Sequence, residues 1–383
     1  MKITTITYND PGISWGPAIH FLELWNSAAQ RHPDVEVTGC CPTWTGREPI
    51  LPLRFALERI PVPDVPTYRQ IVYDRSVAWR LLTRVGATEV VYVRLSQFHF
   101  FTTWVLRLRR NPVVLECNGL LVDDAVSARR SRLSRWFVAW QERALVRRAQ
   151  GIISVSQGIT DALQAAYRPQ GAMITLNNGV GMQFFDDDDE AAGESPPARR
   201  TTILYVGTFT SWDGAARIVE LAGRFPDVDF RLVGDGPARR EVQARATPNM
   251  SFVGQVAYAD LPKHYRAADA GIVLYEARRH QRVQLSSLKT LEYLASGLPV
   301  FTTKVPGQEF VAELGCGVLS PDETLVEDFR EFLGRLGDYR AAALRHRATI
   351  RRKHSWEQVA ENTITFIRRL VRPADLHAAG SRR

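Results

Sequence analysis

Nowhere in the 383 residues do about 18 apolar residues run together, so the sequence offers no helix built to span a bilayer. Its start, MKITTITYND, alternates as a strand does and lacks the apolar core and cleavage site of a secretory signal. Cysteine is scarce. Cys40, Cys41, Cys117 and Cys316 form no CxxC pair and no metal-ligand spacing, which points to reduced thiols in a cytoplasmic protein. Lysine is scarcer than its charge partners: five of the 49 basic residues are lysine, an arginine bias that genome base composition alone can produce. There is no GxxxxGK[ST] phosphate loop and no full GxGxxG with a downstream acid. Helix-turn-helix, zinc-finger and aromatic RNA-binding patterns are missing too, so nucleic acid is not expected as a partner.

What remains is a globular composition, 45% hydrophobic and 23% charged, at a length that suits two or three domains. The net charge of +8 is uneven: residues 1–180 hold 21 basic and 14 acidic residues, which leaves only +1 for the rest. A basic first half suits an anionic surface or substrate. Apolar β-type runs alternate with amphipathic segments throughout. KITTITY, VEVTGC, VVYVRL, VVLEC and GIISVS lie in the first half, and TTILYVG, DFRLVG, MSFVG, GIVLY and PVFTT in the second. That alternation predicts parallel sheets covered by helices on both faces. Between the halves, FFDDDDEAAGESPPARR combines four aspartates that cannot bury with a proline pair that resists regular structure, and reads as a linker rather than a metal site.

One stretch concentrates the chemistry. In VQLSSLKTLEYLASGLPVFTT, Ser286 or Ser287 caps a helix, Leu288, Leu291 and Ala295 form a buried stripe, and Gly297 and Pro299 end it before a strand. A helix opening beside a strand end offers free N–H groups and a positive dipole to a phosphate. Lys289 would add a full charge there, and Glu292, one turn on, would accept from the vicinal hydroxyls of a ribose. The plain alternative is a solvated Lys–Glu pair on an ordinary amphipathic helix. ILYVGTFTSWDGA and FRLVGDGPARREV repeat the strand–glycine–helix logic, so three junctions in one domain point to a phosphate or nucleotide site.

The ordered set NNGV, YVGTFTSWDG, LVGDGP, FVGQV, LPKHYRAADAGIVLY and SSLKTLEYLASGLPVFTT resembles the family 4 glycosyltransferases. VVYVRL…NPVVLECNG and ERALVRRAQGIISVS resemble that group's acceptor domain, and the stripe Trp356, Val359, Thr363, Phe366, Ile367 and Leu370 resembles its closing helix. The resemblance implies an α/β GT-B fold: two Rossmann-like, doubly wound parallel-sheet domains facing across a cleft, with the C-terminal helix returning to the first. The expected divisions are an acceptor domain over 1–183, a linker over 184–200, a nucleotide-sugar domain over 201–352, the closing helix over 353–372 and a disordered tail over 373–383.

Roles follow by resemblance. Glu292 matches the second glutamate of the family's E-x7-E element, which holds the donor ribose. Lys289 matches a lysine near the diphosphate, Gly207 the turn that faces the phosphates, and Gly254, Gln255 and Val256 the backbone that reads the base. Thr208, Gln284, Ser286, Ser287 and Leu288 complete the candidate donor site. Gly12, Ser14 and Gly16 resemble the glycine loop that faces donor and acceptor; with His20, Arg94 and Asp123 they make the candidate acceptor side. Asn118 stands where many members carry a histidine near the reacting sugar, and Glu116 precedes it; with Lys289 these are the catalytic candidates. His20 also reads as a core histidine, Glu116 as a plain strand-end residue, and Asp123 with Asp124 as caps of the next helix.

Departures accompany the match. Gln284 replaces the first glutamate of E-x7-E, Thr208 and Asp213 stand where an arginine and a lysine are usual, and Gly181 replaces an aspartate. The resemblance is therefore to a divergent subgroup, in which Lys289 and helix amides would carry more of the diphosphate's charge. The expected activity is that of a glycosyltransferase that moves a sugar from a nucleoside diphosphate to a glycan or lipid-linked acceptor, and the resemblance implies retention of configuration. No required metal is expected, since PDVDF runs straight into a strand and offers no DxD site, and no cofactor is expected beyond the nucleoside-diphosphate sugar as donor. A non-hydrolysing nucleotide-sugar epimerase and a non-catalytic nucleotide-sugar-binding protein are the alternatives.

One more segment stands out. ARRSRLSRWFVAWQERALVRRAQ has an apolar stripe at Leu133, Trp136, Phe137, Trp140 and Ala144. Seven arginines from Arg129 to Arg148 face one acid, Glu142. That is the chemistry of a helix on an anionic membrane, here the inner face of the plasma membrane; the plain alternative is a helix packed on the first sheet.

Overall fold

The structure is a computed structural model that describes residues 1–96, 98–127, 130–185, 200–210, 214–276 and 286–371. The chain divides into two compact units. One is Met1–Asn177 joined by the C-terminal segment from Glu357, and the other is Asn178–Trp356.

The first unit alternates strands and helices: β1 (Lys2–Ile6), α1 (Gly16–Arg31), β2 (Glu36–Thr43), β3 (Ala56–Pro61), α2 (Pro66–Thr83), β4 (Val90–Arg94), α3 (Phe100–Leu108), β5 (Val113–Cys117), α4 (Leu121–Ser127), α5 (Arg132–Arg148), β6 (Gly151–Ser154), α6 (Gln157–Tyr167) and β7 (Ala172–Thr175). Among the described residues the sheet runs β3-β2-β1-β4-β5-β6-β7, and every pairing is parallel. β4 and β5 are buried along their whole length, as strands covered on both faces must be. Right-handed crossovers place α2, α3, α5 and α6 on one face and α1 on the other, because the chain steps one way from β3 through β7 and the opposite way from β1 to β2.

In the second unit the elements are β8 (Thr202–Val206), α7 (Ala215–Arg224), β9 (Asp229–Val233), α8 (Arg239–Ala244), β10 (Met250–Gly254), α9 (Leu261–Arg266), β11 (Ala270–Val273), α10 (Leu288–Ala295), β12 (Val300–Thr303), α11 (Glu309–Glu313), β13 (Gly317–Ser320), α12 (Leu325–Gly334) and α13 (Leu336–His354). Its sheet order is β10-β9-β8-β11-β12-β13, again parallel throughout. Phe230 and Phe301 of the sheet pack against Phe329 and Phe332 of α12 in the core of this unit. The segment after β7 belongs to this unit, since the backbone N–H and side-chain amide of Asn178 donate to Ser286 Oγ and O, each at 2.7 Å.

The last helix, α14 (Trp356–Leu370), shows the expected stripe. Trp356, Val359, Thr363, Phe366 and Ile367 are all buried. From Glu357 onward it packs on the first unit: Arg368 pairs with Asp34 at 2.7 Å, Glu361 lies 3.4 Å from His32, and Phe366 and Leu370 fill the space that a side chain at Gly151 would take.

Three strands escaped the sequence reading: β3, β7 and β13. Each lies at a sheet edge, and β3 and β7 have no fully buried residue, so the apolar run that marks a central strand is absent. A second difference concerns α5. Its buried face is Val138, Gln141, Glu142, Leu145 and Val146, whereas Leu133 and Trp136 of the expected apolar stripe are exposed. The buried face carries two polar side chains that hydrogen-bond neighbouring segments, and this hides it from a hydrophobicity pattern. Glu142 accepts from Leu121 N at 2.9 Å and Tyr167 Oη at 2.7 Å; Gln141 accepts from His99 N at 2.7 Å. Ser131 caps α5, while Asp123 lies inside α4, whose first amide, Leu121 N, donates to Glu142.

Candidate functional site

In the second unit the order of strands reverses between β8 and β11, and ligands of open α/β sheets sit outside the carboxyl ends of strands at such a point. Here the β8 side supplies the Gly207 turn and the β11 side supplies the start of α10. Ser287 is the cap: its Oγ accepts from Thr290 N at 3.2 Å and shares a 2.6 Å hydrogen bond with Tyr275 Oη. Tyr293 fixes the helix on the sheet. Its hydroxyl donates to Leu204 O at 2.8 Å and accepts from Val206 N at 3.0 Å, and its ring fills the space over Gly271.

That anchoring puts Lys289 over the turn. Its ammonium lies 5.4 Å from the Tyr205 ring centroid, and a β-carbon on Gly207 would stand 3.0 Å from Nζ. Lys289 is half-buried, so its charge is held at the strand ends rather than spread into solvent. Glu292 is buried, at 5% exposure, which overturns the reading of a solvated Lys–Glu pair. Its Oε2 accepts from Tyr265 Oη at 2.7 Å, and burial together with the Glu292 charge pushes the Tyr265 hydroxyl well above its ordinary pKa. Two further glycine turns abut the first. Gly207 N donates to Val233 O at 3.0 Å and Gly234 N to Gly254 O at 2.7 Å, and Gly234 has a φ of 124°. A side chain on Gly234 would strike Gly207 O and one on Gly236 would strike Thr208 O, so only glycine lets these turns stack. Thr208 and Gln255 are exposed at this edge, Gly254 is buried and Val256 half-buried.

In the first unit the strand order reverses at β1 and β4, and a buried polar cluster sits at the ends of the neighbouring strands. Glu116, the penultimate residue of β5, is its centre. Oε1 lies 2.8 Å from Arg94 Nη1, 3.2 Å from His20 Nε2 and 2.7 Å from the Asn118 amide that donates to it, while Oε2 accepts from Tyr92 Oη at 2.8 Å. Burial alone would raise its pKa, but the charges of Arg94 and then His20 outweigh that and hold Glu116 ionised far below the usual carboxylate range. The sequence had left His20 and Glu116 as scattered candidates; folding joins them with Arg94 and Asn118 in one network. The Gly12 loop, with half-buried Ser14, precedes α1, and Pro17 suits the first turn after Gly16.

Comparison with known families follows the same division. Residues 16–184 match the family described as Glycosyltransferase Family 4, and residues 200–338 match Glycosyl transferases group 1. The chain belongs to the family 4-like glycosyltransferases. No curated protein matches the sequence. Among solved structures, this glycosyltransferase is similar to a sucrose-phosphate synthase from Thermosynechococcus elongatus, at TM-score 0.77 and 19% identity over 96% of this chain and 98% of that one. It is similar to Anabaena HepE in complex with UDP and glucose, at TM-score 0.68 and 15% identity over 96% and 99%. An α,α-trehalose-phosphate synthase from Burkholderia xenovorans, in complex with glucose-6-phosphate, matches at TM-score 0.69 and 14% identity over 96% and 99%. These likenesses show the GT-B fold.

Several expected residues of the glycosyltransferase lie outside the described set: Gln284, Asp213, Arg129, the aspartates of the 184–200 linker and the tail from residue 372. Asp123 is half-buried in the first turn of α4. Sequence reasoning missed other groups. Asp10, fully buried, ties the glycine loop down: Oδ1 accepts from Gly12 N at 2.9 Å, and Oδ2 from Trp44 N and Thr45 N at 3.0 and 3.1 Å. The signal was the turn sequence NDPG. Asp74 receives Tyr8 Oη at 2.6 Å and Phe101 N at 2.7 Å, while His99 packs its ring 4.3 Å from that of Tyr8; burial drives His99 down to a pKa of about 3, so it stays neutral. Only the fold brings those three together. Arg239 was also missed: a β-carbon on Gly254 would stand 3.7 Å from its Nη1, which places a guanidinium, itself 3.4 Å from the Asp235 carboxylate, on the glycine edge. Among the described residues no three His, Cys, Asp or Glu side chains gather as a metal site.

Proposed function

We propose that this glycosyltransferase moves a sugar from a nucleoside-diphosphate donor to a lipid-linked or cell-surface glycan in polysaccharide biosynthesis, with retention of configuration and without a metal. The donor belongs to the second unit and the acceptor to the first. The observation that carries the reading is the placement of Lys289 over the Gly207 turn at the strand-order reversal, with buried Glu292 one turn along α10. The leaving diphosphate gains negative charge as the glycosidic bond breaks. A preorganised ammonium, the positive dipole end of α10 and the glycine turn meet that charge without reorganising. Structural neighbours solved with UDP support a nucleoside diphosphate as the leaving group. The reaction is placed in the cytoplasm, with peripheral attachment to the inner face of the plasma membrane; no helix among the described residues is long and apolar enough to cross a membrane.

Glu292 is read as the ribose acceptor. Glu292→Gln keeps the volume and an acceptor for Tyr265 but removes the charge, and a hydrogen bond to a charged group is worth about 1.5–3 kcal/mol. Donor affinity is therefore expected to fall roughly 10–100-fold by calorimetry. Unchanged affinity in the folded variant would remove Glu292 from the donor site.

The overall reading is tested by a thermal-shift screen of nucleotide sugars, followed by turnover with and without glycan acceptors. A donor at 100 times its dissociation constant stabilises by about 2.7 kcal/mol. Acceptor-dependent release of the nucleoside diphosphate, with the anomeric configuration kept in the product, is the expected result. Conversion of the donor without acceptor would instead make the chain an epimerase, and binding without turnover a non-catalytic binding protein.

A further inference from the structure

We propose that α2, α3 and α5 form one continuous docking face that lays the first unit on an anionic bilayer. This deepens the peripheral-membrane part of the function above, and it stands on residues remote in sequence from the donor site.

The three helices are neighbours. α3 packs against both α2 and α5, and Arg148 of α5 donates through Nε to Leu106 O of α3 at 2.7 Å. Each helix turns apolar side chains outward. On α2, Tyr68, Ile71, Trp79 and Leu82 lie at helical spacing on one exposed stripe, with exposed Arg75 among them. On α3, Trp104 and Leu108 are one turn apart and 48% and 78% exposed. On α5, Leu133 and Trp136 are 76% and 64% exposed. Beneath them Phe137 and Trp140 stack on each other at 6.1 Å between ring centroids. Trp140 also meets Phe100 and Trp104 across the helix boundary, so aromatic packing runs from α3 into α5. Exposed tryptophans and leucines at this density mark an interaction surface.

Charge selects the occupant. The only acids in the three helices are Asp74 and Glu142, and both are fully buried as internal hydrogen-bond acceptors. The outward face therefore presents arginine alone: Arg75, Arg107, Arg132, Arg143 and Arg147 are exposed, and Arg107 lies 5.7 Å from the Trp104 ring. A second copy of the chain fits poorly, because two-fold pairing would set arginines against arginines. An anionic bilayer satisfies both halves of the face at once. Indole rings settle at the headgroup level while guanidinium groups meet lipid phosphates, and no shape match is needed.

The test is co-sedimentation of the full chain with vesicles of neutral phosphatidylcholine, with and without phosphatidylglycerol, at 0.1 and 1 M salt. The expected result is binding to the anionic vesicles about tenfold tighter than to neutral ones. High salt should weaken it, because the Debye length shrinks from about 10 Å to about 3 Å. Trp79→Ser with Trp136→Ser, both at exposed sites, is expected to lower vesicle binding at least tenfold. Arg107→Gln, Arg143→Gln and Arg147→Gln together are expected to remove the preference for anionic lipid. Both variants should keep the wild-type thermal transition and nucleotide affinity, so failure here is separable from failure of the donor reading. No vesicle binding, or binding untouched by either variant, would overturn the proposal. So would a dimer in sedimentation that the tryptophan variant dissolves, which would give the face to a second copy.

Discussion

Glu116→Gln is expected to lower the unfolding transition of the first unit by roughly 10 °C, read by calorimetry at pH 7. The wild-type carboxylate is 2% exposed and meets Arg94, His20, Asn118 and Tyr92. Glutamine keeps the shape but leaves the Arg94 guanidinium, 8% exposed, with its charge uncompensated. Breaking one side of a buried ion pair costs about 3–5 kcal/mol, against about 1 kcal/mol for a surface pair. The pH dependence gives a second signature. The folded state holds Glu116 below its ordinary pKa of 4.5, so its stabilisation is fully present above that value and is lost as pH falls below it. The variant is expected to lack that acid limb. Buried neutral His99 adds a separate loss as pH falls from 6.5 towards about 3, and this one should persist in the variant. An unchanged transition would mean that the cluster is already hydrated and does not hold the strand ends together.

Lys289→Met is expected to lower kcat roughly 100- to 1,000-fold while changing donor affinity much less. Methionine keeps an unbranched apolar stem of similar length and removes only the charge. Ser287 still caps α10 and Tyr293 still ties it to β8, so the helix start should survive. What disappears is the one lysine charge held over the Gly207 turn, where the diphosphate charge grows in the transition state. Equal losses in affinity and rate would mean that Lys289 binds ground and transition states alike. Normal kinetics would remove Lys289 from the chemical step and leave it a packing role beside the Tyr205 ring.

Much of this was legible in the sequence because parallel α/β units advertise themselves. Central strands such as VVYVR and VVLEC must be apolar on both faces, and Gly-containing strand ends mark where backbones approach closely. The second-unit site was readable for the same reason: cap, lysine, glutamate and terminating glycine all fall within one short stretch, Ser286 to Gly297. The first-unit cluster was not readable as a unit. Its members, His20, Tyr92, Arg94, Glu116 and Asn118, come from one helix, two strands and the loop after β5, and nothing local says that a histidine on α1 will reach a glutamate on β5. The α5 orientation misled for a related reason. A hydrophobicity pattern assumes that polar residues face out, but Gln141 and Glu142 are drawn inward by orphan backbone amides at His99 and Leu121, and Trp136 is left outside.

The proposed function places a nucleoside diphosphate on the carboxyl edge of the second sheet, between the Gly207 turn and the start of α10. Amide hydrogen exchange of the full chain, with and without saturating UDP, GDP or ADP, reads that location directly. The best-bound nucleotide is expected to protect residues 205–210 and 286–292 most strongly. Protection confined to the first unit, or no protection at either segment by a nucleotide that demonstrably binds, would contradict it.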